Sequence, residues 1–283
     1  MKKLIALLMA MTMVFSFTAC GSKDAGDANA DAVNTEATEE VAGTEAAAQT
    51  DMEYVKEKGT LVVGITDFAP MDYKDAEGNW VGFDADLAKD FAANLGVEVE
   101  FVEIEWSNKI MELDAKSIDC VWNGMTLTDE VKASMNCSNA YCNNAQIVIV
   151  AADKAEQYQT VESLAELTFA VEAGSAGAAV AAENSLATVE VADQATALME
   201  VAAGTADAAI IDSLMAAAMV GEGTSYENLT YTVKLNSEEY GVGFRQGSDL
   251  TAALNDFFKA VYADGSMMKY AETYKVQAAV IEQ

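Results

Sequence analysis

Beyond residue 52 the apolar positions fall into short runs of two alternating kinds. Leu61-Val62-Val63-Gly64-Ile65 is a continuous run of strand length, and the acid- and glycine-rich stretch Asp75 to Asn79 reads as a turn. Trp80 to Phe83 reads as a second strand. From Asp84 the period changes: Leu87, Phe91 and Leu95 recur every four residues and Gly96 follows, the pattern of a helix and its stop. Val97, Val99 and Phe101 alternate with Glu98 and Glu100, which predicts a half-exposed strand. A short helix carrying Ile110 and Leu113 leads to a strand over Asp119 to Trp122.

The alternation continues downstream. Strands are predicted at Ile147 to Val150, Phe169 to Val171, Thr188 to Val191, Ala208 to Ile211 and Tyr240 to Phe244. Helices are predicted at Val161 to Leu167, Ala176 to Glu183, Gln194 to Ala203, Leu250 to Tyr262 and Met267 to Tyr274. Strands alternating with helices imply an α/β protein of two units with mostly parallel sheets.

The first 52 residues follow another logic. Lys2 and Lys3 precede an apolar run from Leu4 to Phe17, and Phe17-Thr18-Ala19 ends in small residues before Cys20. The run is shorter than the ~20 residues that span a bilayer, so residues 1–19 read as a cleaved export signal and Cys20 as the lipid attachment point. Residues 20–52 are rich in Ala, Thr and acid, with too little apolar surface to offset ordering entropy, and read as a disordered acidic tether. The expected location is extracytoplasmic, lipid-anchored to the cell membrane.

Charge and composition narrow the chemistry. Lys and Arg number 16 against 46 Asp and Glu, a formal net charge of −30, which repels nucleic acid and anionic headgroups. Histidine is absent, removing His-based triads, His metal sites and imidazole acid–base catalysis. Of the four cysteines, Cys137 and Cys142 are close enough to bridge across a turn, although spacing alone does not establish it, and Cys120 has no assigned partner. No zinc-type spacing occurs, so zinc is a poor fit; no metal site and no cofactor are expected.

Five segments then occur in a telling order: TLVVGITDFAPMDYKDAEGNWVGFDADLAKDFAANL (Thr60 to Leu95), VWNGMTLTDE (Val121 to Glu130), AVEAGSAG (Ala170 to Gly177), ADAAIIDS (Ala206 to Ser213) and EYGVGFRQGSD (Glu239 to Asp249). Together they resemble the amino-acid-type extracellular solute-binding proteins that feed ATP-driven (ABC) importers, in their lipoprotein form. The resemblance implies a two-lobed periplasmic-binding-protein fold of type II, with lobe 1 from 53–142 and 240–283, lobe 2 from 146–236, and two crossing strands as the hinge. It also implies a small-molecule ligand, an amino acid or amine, held between the lobes of a monomer that serves a membrane permease.

Residue by residue, the resemblance places Trp106 and Phe68 as aromatic shelves, and Asn123, Gly124 and Thr126 beside the ligand's polar groups. Ser175 falls where N–H groups at a helix start meet a carboxylate, and Asp212 where an acid pairs with an ammonium. Each position also has a plainer reading: Trp106 as core, Gly124 as a turn, Ser175 and Asp212 as helix caps. The departures carry more information. The arginine that follows the TDE glutamate in the family, gripping an α-carboxylate, is here Val131. Glu172 replaces a basic or neutral position, so Asp67, Glu172 and Asp212 are expected to face one cleft and to need a cationic ligand, a lysine or protonation as compensation. Lys109 is the expected compensator, with Lys132 a weaker one.

The reading is therefore a binding protein, with no catalytic residues. Two alternatives remain: a dehydratase-type enzyme on the same fold, with Glu172 as general acid, and an extracellular sensor domain.

Overall fold

The computed structural model describes residues 49–283. The export segment 1–19, Cys20 and the tether as far as residue 48 lie outside the described residues.

The described chain opens with α1 (Asp51–Lys58), which has only one buried residue, Val55, and is defined by its ends. Thr50 and Glu53 form a reciprocal capping box, and Gly59 closes the helix at φ +79°. The helix also holds a buried cation: the Nε of Arg245 donates to both Asp51 oxygens at 3.0 Å. Arg245 bonds further to the Ile118 carbonyl at 2.8 Å and to Asp119, which also accepts from Lys58 at 2.5 Å. Residues 51 and 52, expected as part of the tether, are instead helical, because caps and an ion pair order a segment that lacks an apolar stripe.

Lobe 1 is built on β1 (Thr60–Ile65), the hairpin β2 (Tyr73–Lys74) and β3 (Trp80–Val81), α2 (Phe83–Leu95), β4 (Glu98–Glu103), a 3-10 turn at Trp106–Asn108, α3 (Lys109–Asp114), β5 (Cys120–Thr126), α4 (Asp129–Ser134), β6 (Asn136–Cys137) and β7 (Cys142–Asn144). Lobe 2 follows with β8 (Gln146–Ala151), two 3-10 turns, β9 (Thr168–Glu172), α5 (Ala176–Glu183), β10 (Ala187–Val191), α6 (Gln194–Ala203), β11 (Ala208–Asp212), α7 (Ser213–Met219) and β12 (Leu229–Lys234). The chain then returns to lobe 1 with β13 (Glu238–Phe244), α8 (Leu250–Ala263) and α9 (Ser266–Thr273).

The lobe 1 sheet has the order β4-β1-β5-β13-β6, with β7 also on β13, and the lobe 2 sheet the order β10-β9-β11-β8-β12. The crossings are short: Ala145 alone separates β7 from β8, and residues 235–237 separate β12 from β13. The expectation of mostly parallel sheets needs correction. β13 runs antiparallel to β5, and β8 is antiparallel to both β11 and β12, because strands that cross between lobes enter each sheet from the opposite end. Trp80 to Phe83 also splits, Phe83 already belonging to α2.

Lobe 1 is closed by α8, which lays Leu254, Phe257 and Phe258 on the sheet. Phe258 meets Trp122 at 5.6 Å and Tyr141 at 5.4 Å between ring centroids, one continuous aromatic core behind β5. Lobe 2 has its own smaller core around Phe169, Val148 and Ile210. The cysteines Cys120, Cys137 and Cys142 are all free, which answers the question that spacing left open for Cys137 and Cys142.

Candidate functional site

The C-terminal ends of β5, β9 and β11 converge with the 3-10 turn of lobe 1 on a cavity of about 290 Å³ between the two sheets. Its lining includes Phe68, Trp106, Lys109, Asn123, Gly124, Thr126, Glu172, Ser175 and Asp212, nine of the residues singled out in the sequence. Val131 lines it too, where the arginine was missing. Asp67 does not: its side chain is exposed outside the lining, and partial burial with Asp193 and Glu103 nearby raises its carboxyl above the usual range. The position was misjudged because Asp67 and Phe68 are adjacent in an extended segment, so one faces in and the other out.

The floor is set by lobe 1. Gly124 has φ +53°, and a Cβ there would sit 2.4 Å from Phe68 Cε1, so glycine is required. Its N–H donates to buried Asp84 at 2.7 Å. Asn123 is fully occupied by protein: its Oδ1 accepts from the Thr66 N–H and hydroxyl, and its Nδ2 donates to the Thr66 carbonyl and to Asp72 at 2.8 Å. It shapes the floor and has no spare amide for a ligand. The Thr126 hydroxyl donates to Glu238 at 2.8 Å.

Lobe 2 supplies three of the five acids in the lining, Glu172, Glu183 and Asp212, and α4 of lobe 1 the other two. Asp212 ends β11 directly opposite Gln146 of β8. Its Oδ1 accepts from Gln146 at 2.9 Å, from the Tyr240 hydroxyl at 2.9 Å and from Asn144, while Oδ2 accepts from Gln194. Burial, with Glu238 adding to it, pushes this carboxyl up to about 7. Glu172 ends β9, is 3% exposed, and its Oε1 has no hydrogen-bond partner among the described residues. Burial, with Asp212 and Asp193 beside it, raises this carboxyl to about 8. Ser175 caps α5, its hydroxyl oxygen accepting from the Ala178 N–H at 3.1 Å, which leaves its O–H proton free to donate.

Lys109 is the single basic side chain in the lining, which also holds Asp129, Glu130, Glu172, Glu183 and Asp212. Its Nζ donates to the Trp106 carbonyl at 3.2 Å and to the Gly174 carbonyl of lobe 2 at 3.0 Å, and sits 4.9 Å from the Trp106 ring centroid. Burial lowers its pKa, while Glu130 and Glu172 act in the opposite sense. Lys132 is exposed and outside the lining. Sequence reasoning missed Gln194, Gln146, Asn144 and Tyr240, the four donors around Asp212. They come from four separate elements, so no spacing in the chain announces them.

A profile of the bacterial extracellular solute-binding proteins, family 3, matches residues 61–277. The arginine-binding extracellular protein ArtP of Bacillus subtilis (strain 168) is 27% identical over 276 residues, covering 95% of this chain and 96% of that protein. Among solved structures, a mutant of the arginine-binding protein ArgBP from T. maritima superimposes with TM-score 0.73 at 31% identity, covering 79% of this chain and 98% of that one. The ancestral amino acid-binding protein AncCDT-1, described as a precursor of cyclohexadienyl dehydratase, superimposes with TM-score 0.72 at 32% identity, with coverage of 79% and 98%.

Proposed function

Because the chain belongs to family 3 of the bacterial extracellular solute-binding proteins, we propose that it captures a small amino-acid-class ligand whose positive group is the main handle. The ligand is held in the cavity between the lobes and passed to the permease of an ABC importer. The observation that carries this reading is the acid lining of the cavity: Glu172 and Asp212 are buried at the ends of β9 and β11, Asp129, Glu130 and Glu183 are exposed beside them, and the one lysine is already engaged with two carbonyls. A cation entering such a site replaces its lost hydration with fixed acceptors. The arginine-binding relatives support the same class of ligand.

Cys20 is the proposed lipid anchor, with residues 21–48 as the tether that lets the binding body reach its permease. Replacing Cys20 by Ala should release soluble protein or leave an unprocessed precursor. Correctly processed Ala variant still held at the membrane contradicts the anchor.

The protein acts in this proposal without chemistry on its ligand. Glu172, buried and raised to about 8, has the acidity a dehydratase would need. Its neighbour Asp212 is held by four donors, and Gln194 is bonded to that same acid. The test is a thermal-shift screen of amino acids and amines followed by recovery of the bound compound. A ligand at 100 times its dissociation constant stabilises by ~2.7 kcal/mol. Stabilisation with unchanged ligand recovered supports a receptor, and a recovered product contradicts it.

A further inference from the structure

Two carboxylates end neighbouring strands on the lobe 2 side of the cavity, and they differ in how much of their capacity the protein uses. Asp212 receives four donors, three of them on Oδ1. Glu172 lines the cavity and is almost equally buried, at 3% exposed against 4%, yet its Oε1 is left without a partner among the described residues. A buried acceptor with no donor is costly unless something that visits the site supplies one. Lys109 does not supply it: its hydrogen bonds go to the Trp106 and Gly174 carbonyls.

We infer that Glu172 is a second acid anchor for the ligand's positive group, beside Asp212, and that the cleft selects a cationic group with at least two N–H donors, a primary ammonium or a guanidinium. The inference rests on the capture of an amino-acid-class ligand proposed above. Two acceptors on adjacent strands, Oε1 of Glu172 and the less crowded Oδ2 of Asp212, can each take one N–H of the same group. A group with a single N–H satisfies only one of them.

The charged groups around Glu172 are Asp212 at the end of β11, Asp193 at the head of α6 and Lys109 on α3. In that setting the Glu172 carboxyl holds its proton near neutral pH, and a bound cation drives the proton off. Ligand capture and proton release are therefore one event, and a purely structural role for Glu172 would not produce it.

The test is calorimetry of the purified protein with L-arginine at pH 7, in phosphate and in Tris, whose different ionisation enthalpies count released protons. Wild type is expected to release about one proton per ligand through Glu172, with a further fraction from Asp212. Glu172→Gln should weaken arginine at least tenfold and reduce the release to the Asp212 fraction, while Glu172→Asp should restore part of both. Melting curves of the variants confirm that each is folded. Equal affinity and equal proton release in wild type and Glu172→Gln overturn the inference. So does a protein that binds any amino acid, each of which carries a primary ammonium, with no proton release, an outcome that leaves the receptor function standing. A protein that binds none of the amino acids or amines tested removes both readings.

Discussion

Lys109 of lobe 1 and Gly174 of lobe 2 meet across the cleft: the lysine Nζ donates to the glycine carbonyl at 3.0 Å. The approach is close enough that a Cβ on Gly174 would lie 2.9 Å from the Ser107 Cα, in a backbone conformation of φ +69° that favours glycine. The described conformation is thus latched at its mouth by one charge-assisted bond and one backbone contact. Lys109→Met removes the bond, worth ~1.5–3 kcal/mol for a charged donor, and keeps most of the stem packed on Trp106. The ligand-free variant is expected to show a larger radius of gyration than wild type by small-angle scattering. A side comparison reads the third N–H of Lys109: loss of arginine binding with retention of agmatine, which lacks the carboxylate, assigns that donor to the ligand carboxylate.

The buried acids fix a pH dependence whose sign can be worked out. Glu172 and Asp212 titrate near 8 and 7 in the folded protein and near 4.5 and 3.8 when unfolded. Between those limits the folded state holds protons that the unfolded state has lost, so stability falls as pH rises. The ligand-free protein is expected to melt at a higher temperature at pH 5 than at pH 8. Glu172→Gln should flatten that slope across pH 5 to 8, and a slope unchanged by the substitution would remove Glu172 as its source.

Arg245 anchors α1 from β13's end of the sheet, with Asp51, Asp119 and two carbonyls as partners. Arg245→Met fits the space but frees Asp51 and leaves Asp119 with Lys58 and the Val62 N–H as its remaining partners. Breaking a buried pair in this way costs ~3–5 kcal/mol. Urea unfolding should show that loss, and proteolysis should then cut within α1.

Val131 occupies the cavity wall among Trp106 and Met135. Val131→Arg restores a fork for an α-carboxylate at the expense of an overfilled small core, about 1–3 kcal/mol of stability. The variant should bind α-amino acids roughly tenfold to a hundredfold tighter than wild type, with no gain for agmatine, measured by calorimetry. Equal gains for both ligands would place the new guanidinium away from the carboxylate.

Period and punctuation made α6 readable, because it couples an apolar face to a clear stop at Gly204. α1 was not readable, since a single buried Val55 gives no period and the helix depends on a distant arginine. β13 was visible as a strand but not as an antiparallel one, a property of chain path. In the site, the residues that line the cavity could be placed through family resemblance, whereas the state of each acid could not. Asp212 is crowded because of Asn144, Gln146, Gln194 and Tyr240, whose amides and hydroxyl look ordinary in a sequence. Asp67 failed for a simpler reason: one step along an extended backbone turns a side chain to the other face.

Cys120 and Cys142 are buried in lobe 1, and burial pushes both thiols well above their ordinary range, while Cys137 is half-buried with a smaller rise. Nothing in the described body waits on oxidation to reach its native state, and neither buried sulfur presents a thiolate to an oxidant. The same fold should therefore form in a reducing cytoplasm and in an oxidising exterior. Alkylation of the native protein should mark Cys137 first, and the other two only after unfolding, so a thiol reagent becomes a clock for the opening of lobe 1.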